Sequence, residues 1–166
     1  QRIGVTDGKS WLHHRILAKP QQPGNNLLVF GNGIFLWAQE NGACLRSKDG
    51  IEWTPITFPA AVGTGTFGQH AVFDGERFWI SAAAWNDKPK RIFSSIDTMN
   101  WEIVEATGPI NLKAAGNGIL LGNNGWNMSM TASADGGKTW KTSKCNVPSR
   151  CVFFFDGNTL RGPNGG

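Results

Sequence analysis

Short apolar runs recur in pairs along the chain. Leu27 to Phe30 precedes Ile34 to Trp37, His70 to Phe73 precedes Arg77 to Ile80, Leu112 to Ala115 precedes Ile119 to Leu121, and Cys151 to Phe155 precedes Thr159 and Leu160. Between the members of each pair stands Asn32-Gly33, Asp74-Gly75, Asn117-Gly118 or Asp156-Gly157. A dipeptide of this kind between β-rich runs predicts a hairpin, because a type I′ turn takes φ > 0 at both central residues. The four glycines fall 42, 43 and 39 residues apart. No segment keeps a 3.6-residue period over three turns, so the chain is expected to be all-β.

A second pattern repeats out of phase with the first. Ser133-Ala134-Asp135-Gly136-Gly137-Lys138-Thr139-Trp140 is its fullest copy, and Ser47 to Trp53 is the same pattern one residue shorter. Ser95 to Trp101 is an eroded copy, and Val5 to Trp11 has lost its serine. The pattern resembles the Asp box, S-x-D-x-G-x-x-W, of sialidases and many other β-propellers. An aspartate can accept hydrogen bonds from the N–H groups of its own turn, glycine supplies φ > 0, and the tryptophan can pack back over the hairpin. The resemblance implies a structural role, at a hairpin remote from any reacting centre.

A period near forty residues, with four short strands to the unit, predicts propeller blades. The expected fold is a β-propeller of four-stranded antiparallel blades with Asp-box turns. The expected divisions of this single domain are a half-blade over 1–17, blades over 26–58, 70–104 and 112–144, and a half-blade over 150–161. The first half-blade supplies third and fourth strands and the last supplies first and second strands. The termini are therefore expected to share one composite blade, giving about four blades. The alternative is an open arc completed by other copies or by further sequence. The chain opens on Gln1, which suggests a processed or partial chain.

Composition excludes several classes. No apolar run is long enough to span a bilayer, so no membrane insertion is expected. The net charge of +4 is scattered, whereas nucleic-acid binding requires a basic stripe. Lys88, Lys90 and Arg91, and Lys138, Lys141 and Lys144, are read as solvated positions, leaving only a weak preference for acidic partners. Cys145 and Cys151 bracket a loop that an oxidising setting would allow to be bridged, and Cys44 is expected to pack as a small hydrophobe. The cysteine spacing does not resemble a zinc site, and neighbouring His13 and His14 point to opposite faces of one strand. No metal and no cofactor are predicted.

Ligands of propellers usually occupy the face opposite the hairpin turns. Its loops here are 39–42, 82–90 and 122–128, with the longer links 19–25, 59–69 and 106–110. Trp85-Asn86 and Trp126-Asn127 stand 41 residues apart, as do Phe78 and Ile119, so both tryptophans are expected at equivalent points of adjacent blades. A ring beside an amide suits a sugar platform, covering the C–H face while amides and carboxylates reach the hydroxyls. Asp87, Asn123 and Asn124 complete this candidate ligand site. The competing reading plugs both tryptophans into the core.

Catalysis is not expected. The resemblance to sialidases implies a tyrosine nucleophile and an arginine triad, but the chain has no tyrosine and no triad can be read from its arginines. Glu40 and Asp87 are the only acids in the second-face loops of the complete blades, and nothing in the sequence makes them face one another as a glycosidase requires. Runs such as Phe30 to Phe35 and Phe73 to Trp79 look like the repeats of non-enzymatic propellers in bacteriophage tail and virion proteins, and like photosystem assembly-factor propellers. The expected function is a recognition or structural module at a virion or extracellular surface. Its partners would be a glycan, a cell-surface receptor or other virion or assembly proteins, with homo-oligomerisation open. The alternative is a fragment of a sialidase-like glycoside hydrolase.

Overall fold

The structure is a computed structural model that describes residues 2–6, 11–15, 27–38, 44–57, 67–82, 91–105, 111–124, 127–146, 154–156 and 159–161. Three four-stranded antiparallel sheets form its centre. The first blade contains β3 (Leu27–Gly31), β4 (Ile34–Ala38), β5 (Cys44–Ser47) and β6 (Thr54–Ile56). The second contains β7 (Phe67–Phe73), β8 (Phe78–Ala82), β9 (Arg91–Ser95) and β10 (Glu102–Glu105). The third contains β11 (Asn111–Gly116), β12 (Ile119–Asn124), β13 (Asn127–Ser133) and β14 (Lys141–Asn146). Every strand pairs with its sequence neighbour, and the first strands β3, β7, β11 and β15 succeed one another side by side.

Two shorter hairpins flank this series: β1 (Arg2–Thr6) with β2 (Trp11–Arg15), and β15 (Phe154–Asp156) with β16 (Thr159–Arg161). Each is a two-stranded sheet, and among the described residues no ladder joins one to the other. Among the described residues the composite blade expected for the termini is not joined by a ladder. Instead β15 takes the next place in the row of first strands, against β11.

Apolar residues alternate along each strand and fill the spaces between successive blades. Ile34, Leu36, Ala38 and Cys44 of the first blade meet Ala71, Phe78, Ile80 and Phe93 of the second. On the second blade's other face, Trp79 and Ile92 meet Leu112, Ala115 and Leu120 of the third. Cys44 packs within the first of these clusters, as expected of a small hydrophobe. Cys145 lies on β14 with its side chain outside the described residues, as does all of Cys151.

The turns separate into two kinds. Asn32-Gly33 has φ of 48° and 71°, and Asn117-Gly118 has 52° and 73°, both positive as a type I′ turn demands. Asp74-Gly75 departs from the expectation. Phe73 pairs with Phe78 across a four-residue link closed by the Asp74 N–H donating to the Arg77 carbonyl at 3.1 Å. The cause is the aspartate itself, whose carboxylate accepts from the N–H of Glu76 at 2.8 Å, the N–H of Arg77 at 2.7 Å and the Trp79 indole at 2.6 Å. Side-chain capping of this sort competes with the shorter backbone turn. In the last hairpin Asp156 pairs with Thr159, so its two-residue link is 157–158, one position later than expected.

Candidate functional site

The repeated serine–aspartate turns close the outer hairpin of each complete blade with one geometry. Ser47 donates to Asp49 at 2.9 Å, Ser95 to Asp97 at 3.0 Å and Ser133 to Asp135 at 2.7 Å. Each serine oxygen in turn accepts a backbone N–H from Gly50, Thr98 or Gly137, at 2.8, 2.8 and 2.9 Å. The closing tryptophans Trp53, Trp101 and Trp140 donate their indole N–H to the carbonyls of those same three residues, at 3.1, 3.2 and 2.8 Å. The position needs φ > 0, and Gly50 and Gly137 meet it at 76° and 86°. Thr98 is forced there at 62° while fully buried, a conformation that costs a β-branched residue energy.

These turns fix the state of their carboxylates. Asp49 is held below the ordinary carboxylate range by the N–H groups of Ile51 and Glu52 and the Ser47 hydroxyl. Asp97 lies well below it because Asn100 and Met99 donate their N–H groups. Asp135 is lowered as far by the hydroxyl and N–H of Thr139 and by Ser133. On the outer strands, Arg77 pairs with Glu102 at 2.8 Å and Arg91 with Glu105 at 3.0 Å. The hydrogen bonds of the turns thus favour the anionic form of Asp49, Asp97 and Asp135, which leaves these three unsuited to shuttling protons.

Of the seven residues expected at the opposite end of the blades, Trp85, Asn86, Asp87 and Trp126 lie outside the described residues. Asn123, Asn124 and Asn127 come together at the end of the β12–β13 hairpin, where Asn124 pairs with Asn127 beyond a register shift. Asn111, not anticipated, pairs with Asn123 from β11 and brings a fourth asparagine to this blade end. Its signal in the sequence was a first strand that begins one residue before the apolar run. Among the described residues no group of three or more His, Cys, Asp or Glu side chains is placed to hold a metal.

The strand ladders revise one equivalence. Phe78 pairs with Ser95 and Leu120 with Ser133, so Phe78 corresponds to Leu120 and not to Ile119. Burial agrees, since Phe78 and Leu120 are core residues whereas Ile119 is exposed. Phe73 to Phe78 and Ala115 to Leu120 span equal lengths of chain, so these blades repeat at 42 residues (78 to 120), one more than the 41 counted between the tryptophans. The 41-residue spacing of the two tryptophans therefore does not by itself place them at matching points.

The same ladders set Asn123 level with Ser81 and Ala38, all on the face turned to the following blade. Ser81 is buried and accepts the N–H of Leu112 from that blade at 3.4 Å. Asn123 is only 4% exposed, and its Oδ1 has no hydrogen-bond partner. This places Asn123 in a seam between blades, with Asn111, Asn124 and Asn127 nearer the loops.

No family model matches the chain, and no curated protein is similar to it in sequence. Solved structures are similar in three dimensions. YCF48 from Cyanidioschyzon merolae, a β-propeller protein, superposes with a TM-score of 0.54 at 20% identity, over 74% of this chain and 38% of that one. YCF48 bound to D1 peptide gives 0.55 at 19% identity, over 76% of this chain and 43% of that one. The chain has the fold of a β-propeller. It spans about two fifths of the length of these neighbours, and at such identity the likeness concerns the fold.

Proposed function

We propose that this propeller is a non-catalytic recognition module that binds a segment of a partner protein on the loop face, opposite the serine–aspartate turns. The observation that carries the reading is the division of chemistry between its two ends. The hairpin end holds its carboxylates in structural hydrogen bonds, while the third blade ends at its loops in Asn111, Asn124 and Asn127. Amides both donate and accept, which suits the backbone of an extended peptide. A neighbour of the same fold was solved with a peptide bound, which supports the class of partner. The chain's net positive charge favours an acidic segment.

A glycan or surface receptor is the second reading, favoured by the Trp85-Asn86 and Trp126-Asn127 pairs. The setting would then be a virion or cell surface, as in the Asp-box propellers of phage tails that the repeats resemble. Probing the purified chain against an array of acidic and neutral peptides and against a glycan array separates the two. Saturable binding to peptides, weakened by Asn124→Ala or Trp126→Ala with the fold retained, supports the first reading. Binding to glycans alone replaces it with the second, and turnover of sialosides or other glycosides by the intact chain overturns both.

A further inference from the structure

Asn32 does more than turn the chain between β3 and β4. Its side-chain Nδ2 donates to two carbonyls of the second blade, closely to that of Glu76 at 2.9 Å and more loosely to that of Ile96 at 3.4 Å. Glu76 belongs to the hairpin between β7 and β8, and Ile96 is the second residue of the serine–aspartate turn between β9 and β10. A side-chain amide carries two N–H donors, enough to serve both acceptors. One residue thereby clasps the inner turn of the first blade to both turns of the second.

The clasp stands beside a glycine with open space around it. Gly33 takes φ of 71°, and a Cβ built on it would meet no atom within 4 Å. Asn32 and Gly33 are both exposed to water. An asparagine in this setting has a nucleophile of its own, the backbone nitrogen of the next residue. Attack of the Gly33 nitrogen on the Asn32 side-chain carbon Cγ closes a five-membered imide, and Nδ2 departs as ammonia, taking the proton that the Gly33 nitrogen gives up. Water then opens the imide at one carbonyl or the other, leaving aspartate or isoaspartate. The balance is one water consumed and one ammonia released, with no oxidant or other reactant. Glycine, having no side chain, obstructs such a ring least.

We propose that Asn32 is a site of spontaneous deamidation and that the reaction undoes the clasp between the first and second blades. The clasp itself sets the pace, because the amide must leave both carbonyls before Cγ can swing onto the Gly33 nitrogen. Either product ends the contact. A carboxylate has no proton to donate and would face two carbonyl oxygens. Isoaspartate also adds a carbon to the backbone, inside a turn where Gly31 pairs with Ile34 across only two residues. The modification therefore acts on how two blades are held together, and leaves the loop face of the propeller untouched.

Peptide mapping by mass spectrometry tests the reaction on the intact chain, held at mildly alkaline pH both folded and in urea above its unfolding transition. The peptide carrying Asn32 is expected to gain the mass that separates an acid from an amide, and to become a substrate for isoaspartyl methyltransferase. The gain should be several-fold slower in the folded chain than in urea. Asn32→Gln, which would have to close a larger ring, should abolish it at this position. Asn32→Asp, one of the two products, is expected to speed amide hydrogen exchange in the 74–77 and 95–98 turns and to leave β11–β14 as in the wild type. No gain at Asn32 in the folded chain overturns the proposal. So does a folded rate equal to that in urea, or an Asn32→Asp chain whose second-blade turns exchange as in the wild type.

Discussion

Gly31 stands where the first blade lies close against Phe73 of the second, and replacing it tests the account of how they pack. It ends β3, is buried, and faces Phe73 at the end of β7. A Cβ there would stand 2.5 Å from Phe73 Cγ and 2.6 Å from Cε2, inside the 3.0 Å below which real contacts essentially never occur. The Cγ atom is fixed close to the backbone, so the ring cannot yield by flexing its tip. It is also held at 4.8 Å from the Phe78 ring. Relief therefore requires either a new rotamer for Phe73 or separation of β3 from β7. Separation would also strain the link in which Asn32 Nδ2 donates to the Glu76 carbonyl at 2.9 Å.

Overpacking of this kind costs about 1–3 kcal/mol. At roughly 2–4 °C of Tm per kcal/mol for a chain of this size, Gly31→Ala is expected to melt about 2–12 °C early. Urea denaturation followed by tryptophan emission measures the free energy, and Phe73→Leu in both backgrounds supplies a double-mutant cycle. Removing the ring should rescue the alanine, giving a favourable coupling of about 1 kcal/mol or more. Gly33→Ala is the control: its φ is +71° and its Cβ would meet nothing within 4 Å. It is expected to cost about 1–2 kcal/mol through backbone strain alone and to add independently to Phe73→Leu. Gly31→Ala within 0.5 kcal/mol of wild type, or a cycle that closes additively, refutes the reasoning.

Three further outcomes follow from the turns and the seam. Because Asp49, Asp97 and Asp135 sit below their unfolded value of 3.8, the stability they confer is complete above about pH 4 and drains as pH falls through their lower folded values; denaturation at pH 7, 4, 3 and 2 should show that loss, with a flatter acid limb in Asp97→Asn. Ser133→Ala removes the acceptor of the buried Gly137 N–H, at 2.9 Å, and should cost about 1–2 kcal/mol by urea titration. Asn123→Ala deletes an acceptor that makes no hydrogen bond, so it should change stability by less than about 1 kcal/mol; a larger loss would mean that Oδ1 has a donor.

The hairpins were legible because local chemistry determines them. Asn-Gly at 32–33 and 117–118 takes the positive φ at both positions that its residue types allow. The serine–aspartate turns likewise carry their own hydrogen-bond partners within a few residues, so even the eroded copy at Ser95 to Trp101 forms the full set of bonds. Register was less legible. Phe78 and Leu120 are 42 residues apart, and only the ladders opposite Ser95 and Ser133 show that a 41-residue count falls one short there. Asn111 escaped notice because a polar residue opening a strand looks like loop. Seam residues such as Asn123 were opaque for another reason: whether an amide faces a ligand or the next blade depends on sheet stacking, which lies beyond any one strand's pattern.

That contrast bears on where specificity resides. At the hairpin end the three complete blades use one device, and Gly50, Thr98 and Gly137 occupy one backbone position despite differing in type. Even a threonine is driven to φ 62° to preserve it, so the cost of strain is accepted there in order to keep the frame. At the opposite end the links between second and third strands are 39–43, 83–90 and 125–126, no two alike in length. A rigid, repeated end combined with a varied one is the arrangement expected when a scaffold holds recognition loops. If recognition lies there, grafting the short 125–126 link in place of 83–90 should abolish partner binding with little change in Tm, because the Asp74 turn and the Ser95 turn that fix β8 and β9 lie at the other end of those strands. A fall in Tm as large as that of Gly31→Ala would mean instead that the longer link is part of the frame.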